Sequence, residues 1–307
     1  MVKLSRQSFD RAREFLMTCG RRLERALFLH LFESGSREDC LTALAEHQTS
    51  SGGFREMKGA IESSPIGAIV AFQHLVDLEA TADHPLVRGG VEYFLHAFDH
   101  EHEFWPPREK LPDPITNHLP DRWGNPSAEI VGYLWKYREL VPESFLEYAT
   151  ELALRNLRRI PAPIFEFADI CFLRLADHID PSYDHDEIIR KVGDGVMGNL
   201  QLDHAKWDTG YFVKPFYYAL SPDAPLYPMV RAEVQACLDW EVRTQEEDES
   251  FKLTWNAKGG WGFPAPTIRR QLRFSRCGVR YSHSTPGISW PKMPRFRVRG
   301  RDSEGSP

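Results

Sequence analysis

Glu129 and Glu166 each follow a proline by three residues, Pro126 and Pro163, and each proline opens an apolar-periodic run. Proline is favoured at the first helical position, so the spacing predicts both acids in the first turn of a helix. Two carboxyl groups presented side by side at one end of a helical array can take a proton from a bound molecule and return one to it. Ser64 before Pro65, Asn125 before Pro126, and Tyr211 and Lys214 are expected on the same rim, where helix N-termini favour an anionic group. Trp123, Trp207 and Trp255 lie in the preceding loops and would supply apolar or cation-stabilising walls. The competing reading is simple: a glutamate in a first helical turn is favoured anywhere.

Other clusters read more blandly. Asp184-His185-Asp186-Glu187 has the look of an acid motif, but acids at the start of a helix are ordinary capping groups. Asp169-Ile170-Cys171 resembles part of the zinc site of protein prenyltransferases, whose third ligand is a later histidine, but no later histidine stands in a matching context, and a closed site needs three or four ligands. Asp99-His100-Glu101-His102-Glu103 reads as a solvated turn. No phosphate-binding glycine loop, nucleophile elbow, HExxH or dinucleotide fingerprint occurs, so no cofactor and no metal are expected.

The elements that must position these residues are helices. Apolar residues recur at helical spacing from Ser8 to Cys19, Arg22 to Glu33, and Ser36 to Gln48, where Gly52 and Gly53 stop the run. Further helices are expected from about Pro65, Pro85, Pro126, Pro142, Pro163 and Asp186. A short tenth is expected over 211–220, interrupted at Pro215, and an eleventh over 226–246. No segment alternates as a strand does. The pairs recur every 40 to 50 residues, the mark of a repeat architecture, and the fold class expected is all-α.

A glutamine six residues before an aromatic recurs at Gln48/Phe54, Gln201/Trp207 and Gln245/Phe251. The first of these, QTSSGGF, resembles the QW repeat of squalene and oxidosqualene cyclases. The stretches NPSAEIVGYLWKYRELVP, CFLRLAD and WDTGYFVKPF are similar to small members of the terpenoid cyclase/protein prenyltransferase superfamily. The resemblance spans roughly residues 20 to 260. It implies an α/α toroid of helical hairpins, in which the glutamine ties the end of one outer helix to the start of its neighbour. The third, ninth and eleventh helices would then be outer, and the second, fourth, sixth, eighth and tenth would line a central cavity. The final pair is incomplete, because periodicity is lost after Ser275. Residues 1–264 are expected to form the toroid domain and 265–307 a disordered basic tail rich in Pro, Gly and Arg.

Charge narrows the partners. The net charge is −6 over 307 residues, but from Thr267 onward about ten basic residues face Asp302 and Glu304, leaving about −14 on the rest. That balance argues against nucleic-acid binding by the body. No run is apolar enough to span a membrane, the five cysteines show no paired spacing, and the N-terminus lacks a signal-type apolar core. The expected location is cytoplasmic. The function expected is a cyclase-like or isomerase-like enzyme, non-redox and metal-independent, acting on a hydrophobic isoprenoid or polyketide-type molecule. A non-catalytic carrier or interaction protein, and a glycan-processing toroid enzyme, are the alternatives.

Overall fold

The structure, a computed structural model, describes residues 5–55, 62–107, 123–164, 166–208 and 213–244, with the backbone alone at Glu166 and Asp208. Ten α-helices occupy these residues, with no strand among them: α1 Arg6–Cys19, α2 Arg22–Phe32, α3 Arg37–Ala45, α4 Pro65–Asp77, α5 Pro85–His96, α6 Glu129–Lys136, α7 Glu143–Arg159, α8 Glu166–Ala176, α9 His185–Asn199 and α10 Tyr227–Arg243. The Gln245/Phe251 copy and the 265–307 tail lie outside the described residues.

The helix starts follow from local chemistry. Ser5, Ser36, Ser64 and Asp184 each turn a side-chain oxygen onto a backbone N–H one turn ahead. Each thereby satisfies one of the donors that a helix start leaves unpaired. Two expectations need correction. Pro163 lies ahead of α8, which starts at Glu166, whereas Pro126 follows the one non-helical residue of the π-type turn Gly124–Ala128, Asn125 (φ −131°, ψ 112°), and begins the helical run that continues into α6. Glu129 therefore keeps its expected place, fourth in the helical run. The short helix expected over 211–220 is, in its described part, only a 3₁₀ turn, Pro215–Tyr217. Pro215 has no N–H for an intrahelical bond, and another proline, Pro222, follows shortly after it.

Neighbouring helices pair as hairpins, α2 with α3, α4 with α5, α6 with α7 and α8 with α9, and alternate helices also touch: α4 with α6, α6 with α8, and α7 with α9. The register of the even-numbered helices can be followed. Gln73 meets Glu129, and Ala80, just past α4, meets Tyr137 just past α6. Glu129 meets Cys171, and Gly132 lies against Arg174 and Leu175. Residue numbers rise together in both pairs, so α4, α6 and α8 run parallel. The odd-numbered helices are tied end to start: Gln48, after α3, donates to Leu86 O in the first turn of α5 (3.1 Å), and Arg158 at the end of α7 pairs with Glu187 at the start of α9.

Burial separates the two sets. Every residue of α6 from Glu129 to Leu134 is buried, as befits a helix covered on all sides, whereas α7 buries one stripe and exposes the other. The buried layer is tight. A Cβ on Gly132 would sit 2.7 Å from Arg174 O; outside that layer, one on half-buried Gly52, at φ +83°, would sit 2.2 Å from Gly89 O on α5. Gly132→Val should therefore force α6 away from α8 and cost about 2 kcal/mol or more, measured by urea unfolding. Unchanged stability would show that the two helices are not in backbone contact.

Candidate functional site

Glu129 is 2% exposed. Its Oε1 accepts from Tyr133 Oη on the same helix (2.6 Å) and from Gln73 Nε2 on α4 (2.8 Å), and its Oε2 accepts from Cys171 Sγ on α8 (3.6 Å). The spacing of Tyr133, four residues on, places its hydroxyl over the carboxylate of the same helix face. Arg174, one turn past Cys171, adds a favourable charge interaction with Glu129 and ion-pairs with Asp177 at 3.9 Å. The surroundings are aromatic: Phe72 lies 5.4 Å from the Tyr133 ring and 5.8 Å from that of Tyr137. Burial, and then the adjacent Glu129, pushes the Cys171 thiol well above its ordinary range, which fixes it as an S–H donor.

The partner expected for Glu129 is displaced by register. With Cys171 beside Glu129 on parallel helices, the Glu166 backbone lies five residues nearer the helix start, about 7.5 Å further along the axis at 1.5 Å per residue. It is level with the π turn rather than with Glu129. Asp169 is closer in level. It is 1% exposed and accepts from Asn199 Nδ2 and Tyr218 Oη, each at 2.8 Å. Asp169 and Cys171, which the sequence offered as two zinc ligands, instead hold hydrogen bonds on different sides of α8. Among the described residues no group of three or more His, Cys, Asp and Glu is placed to hold a metal.

The helix α8 divides the remaining candidates. Trp123 is buried in the larger core, edge-on to Trp105 at 6.2 Å. Ser64 is also buried and caps α4 through Gly67 N, while Asn125 is half-buried in the π turn. Trp207 belongs to a separate core cluster with Val196, Phe216, Tyr218 and Trp240. Its indole donates to Gln201 O (2.7 Å) and stacks on His204 (4.1 Å). Gln201 thus closes a local turn; Gln48 closes one too, through Gly52 O (2.8 Å), and in addition reaches Leu86 O on α5. Lys214, 7% exposed, sits 4.1 Å over the Trp240 ring and pairs with the buried Glu241. Its charge is met within the protein by Glu241. Tyr211 and Trp255 lie outside the described residues.

The bland readings of the acidic motifs hold in the structure. Asp184 caps α9 through Glu187 N, Glu187 is ion-paired to Arg158, and Asp186 is fully open to solvent. Asp99 accepts from the backbone N–H groups of Glu101 and His102, closing an exposed turn. Sequence reasoning passed over Gln73, Tyr133, Asn199, Tyr218 and Glu241. Tyr133 alone carried a local signal, its four-residue spacing from Glu129. No protein-family model, curated protein or solved structure matches the chain.

One group near Glu129 gives the site a pH signature. His178, whose ring centroid is 6.2 Å from that of Tyr133, is pushed down from 6.5 to about 4, chiefly by burial and secondarily by Lys136 and Arg174. The unfolded chain therefore binds a proton at this residue that the folded chain refuses. The contribution is nil above pH 6.5, and stability is lost as the pH falls from 6.5 towards about 4. Urea midpoints recorded across that range should fall less steeply for His178→Gln than for the parent. Parallel profiles would contradict the assignment.

Proposed function

We propose that the chain is a small-molecule enzyme of cyclase or isomerase type, built on an α/α toroid, that moves a proton on a hydrophobic substrate through Glu129. The supporting observation is the Glu129 carboxylate itself, buried in the layer formed by α4, α6 and α8 with the Tyr133 hydroxyl at 2.6 Å. A buried ionisable group is commonly less stabilising than an apolar residue of similar size, so its presence here fits a role other than packing. Parallel even-numbered helices and end-to-start ties between odd-numbered ones support the toroid reading, since both are needed for hairpins to curl about a common axis. Tyr133 is the natural second member of the proton path, taking the role that the sequence assigned to Glu166.

A carrier reading is favoured by a different observation. Both oxygens of Glu129 are already engaged by protein donors, which suits a carboxylate that locks three helices together and does no chemistry.

The two readings diverge in heavy water. The purified chain is to be incubated in D₂O with apolar extract from its source cells, and the bound fraction analysed by mass spectrometry. An acid/base enzyme should place deuterium in a recovered apolar molecule or convert it, and Glu129→Gln should lower that rate by about 10²-fold or more. An apolar ligand recovered unlabelled and unconverted from both proteins would establish the carrier. Recovery of sugars alone would reject both in favour of glycan processing.

A further inference from the structure

A concave site lies away from Glu129, where the end of α6, the first turns of α7 and the loop between α8 and α9 meet. It is a cleft of about 440 Å³, within the size range of small-molecule sites. Trp135 and Tyr183 form one wall, edge-to-face with centroids 5.5 Å apart. The indole is held by its N–H, which donates to Thr150 Oγ1 at 2.8 Å. Glu143 and Glu147, one helical turn apart on α7 and both exposed, line the cleft beside them. Arg138 is the only basic residue among the described residues of the lining, and its guanidinium is taken up by Asp180 at 3.1 Å.

We infer that this cleft binds an organic ammonium group, seated against the faces of Trp135 and Tyr183 with Glu143 and Glu147 as its counter-charges. Aromatic faces attract cations whose hydration is weak, and desolvation strengthens the effect. Carboxylates alone would take any cation, and aromatic rings alone any apolar group; their combination selects a cation with a hydrocarbon surface. The Tyr183 phenol is pushed upward, first by burial and then by Glu147, Glu151 and Asp180, which agrees with a negative potential in the cleft. Without its last 41 residues the chain carries about −14, a balance that favours cations over anions as partners in general. An ammonium site of this kind is independent of any chemistry at Glu129.

The probe is choline, set against its uncharged carbon isostere 3,3-dimethylbutan-1-ol, both titrated into the intact chain while the Trp135 indole N–H signal is followed by NMR. Choline should shift that signal saturably, with the isostere weaker by about tenfold or more. The double variant Glu143→Gln/Glu147→Gln should weaken choline by at least about tenfold, whereas Asp10→Asn/Glu14→Gln, an equal change of charge on α1, should leave it within about twofold. Three results would overturn the assignment: no saturable shift, equal binding of the isostere, or equal loss in both double variants. A shift produced as well by magnesium as by choline would do the same, because it would show that charge alone is being read. The comparison of choline with the isostere uses the unaltered chain and does not depend on the folding of any variant.

Discussion

The arrangement depends on one buried carboxylate and the groups that hydrogen-bond to it. Glu129 stands where α4, α6 and α8 come together, and each of the three helices contributes a donor: Gln73, Tyr133 and Cys171. A carboxylate this deep is tolerated only when its oxygens are satisfied. The requirement acts in both directions. It fixes the height of α4 and α8 against α6, and it forbids a one-turn slip of either, because a slip would leave the carboxylate buried and unpaired. Gly132 serves the same junction sterically, letting α6 approach the backbone of Arg174.

Helix α8 is the wall shared by two cores. Ala168, Cys171, Phe172 and Leu175 face the larger cluster, while Phe167, Ile170 and Leu173 pack against the one containing Trp207 and Trp240. Asp169 carries a polar tie from α8 to Asn199 on α9 and to Tyr218. Lys214 and Glu241 form a further buried tie within the smaller cluster. Loss of either partner of that pair leaves a charge without compensation, which is costlier than losing both. Polar links of this kind contribute little net stability, but they specify which helix faces meet.

The helices were legible in the sequence because they are announced locally. Ser5, Ser36, Ser64 and Asp184 cap them where serine or aspartate precedes an apolar run, and prolines mark several starts. Where the reading strayed, a local rule was stretched. Pro163 lies ahead of the start of α8 although proline favours a first helical position, and the described part of 211–220 holds only the 3₁₀ turn at Pro215. Glu129 was identifiable from its spacing, but its partners were not. Gln73 is 56 residues away and Cys171 is 42, so their meeting is set by the stagger of parallel helices, which no spacing along the chain encodes. The same stagger separates Glu129 from Glu166, whose matching positions after proline had suggested a pair. The pairing of Lys214 with Glu241, 27 residues on, has no local signature in the sequence.

The most direct test is a double-mutant cycle across the α4–α6 junction. Stabilities of Gln73→Leu, Glu129→Gln and the double variant are to be measured by urea unfolding alongside the parent. A buried carboxylate satisfied from a neighbouring helix requires a coupling energy of about 1 kcal/mol or more between these positions. Single-variant losses that add to within about 0.3 kcal/mol would mean that the two side chains do not interact, and the junction on which the site is built would not exist.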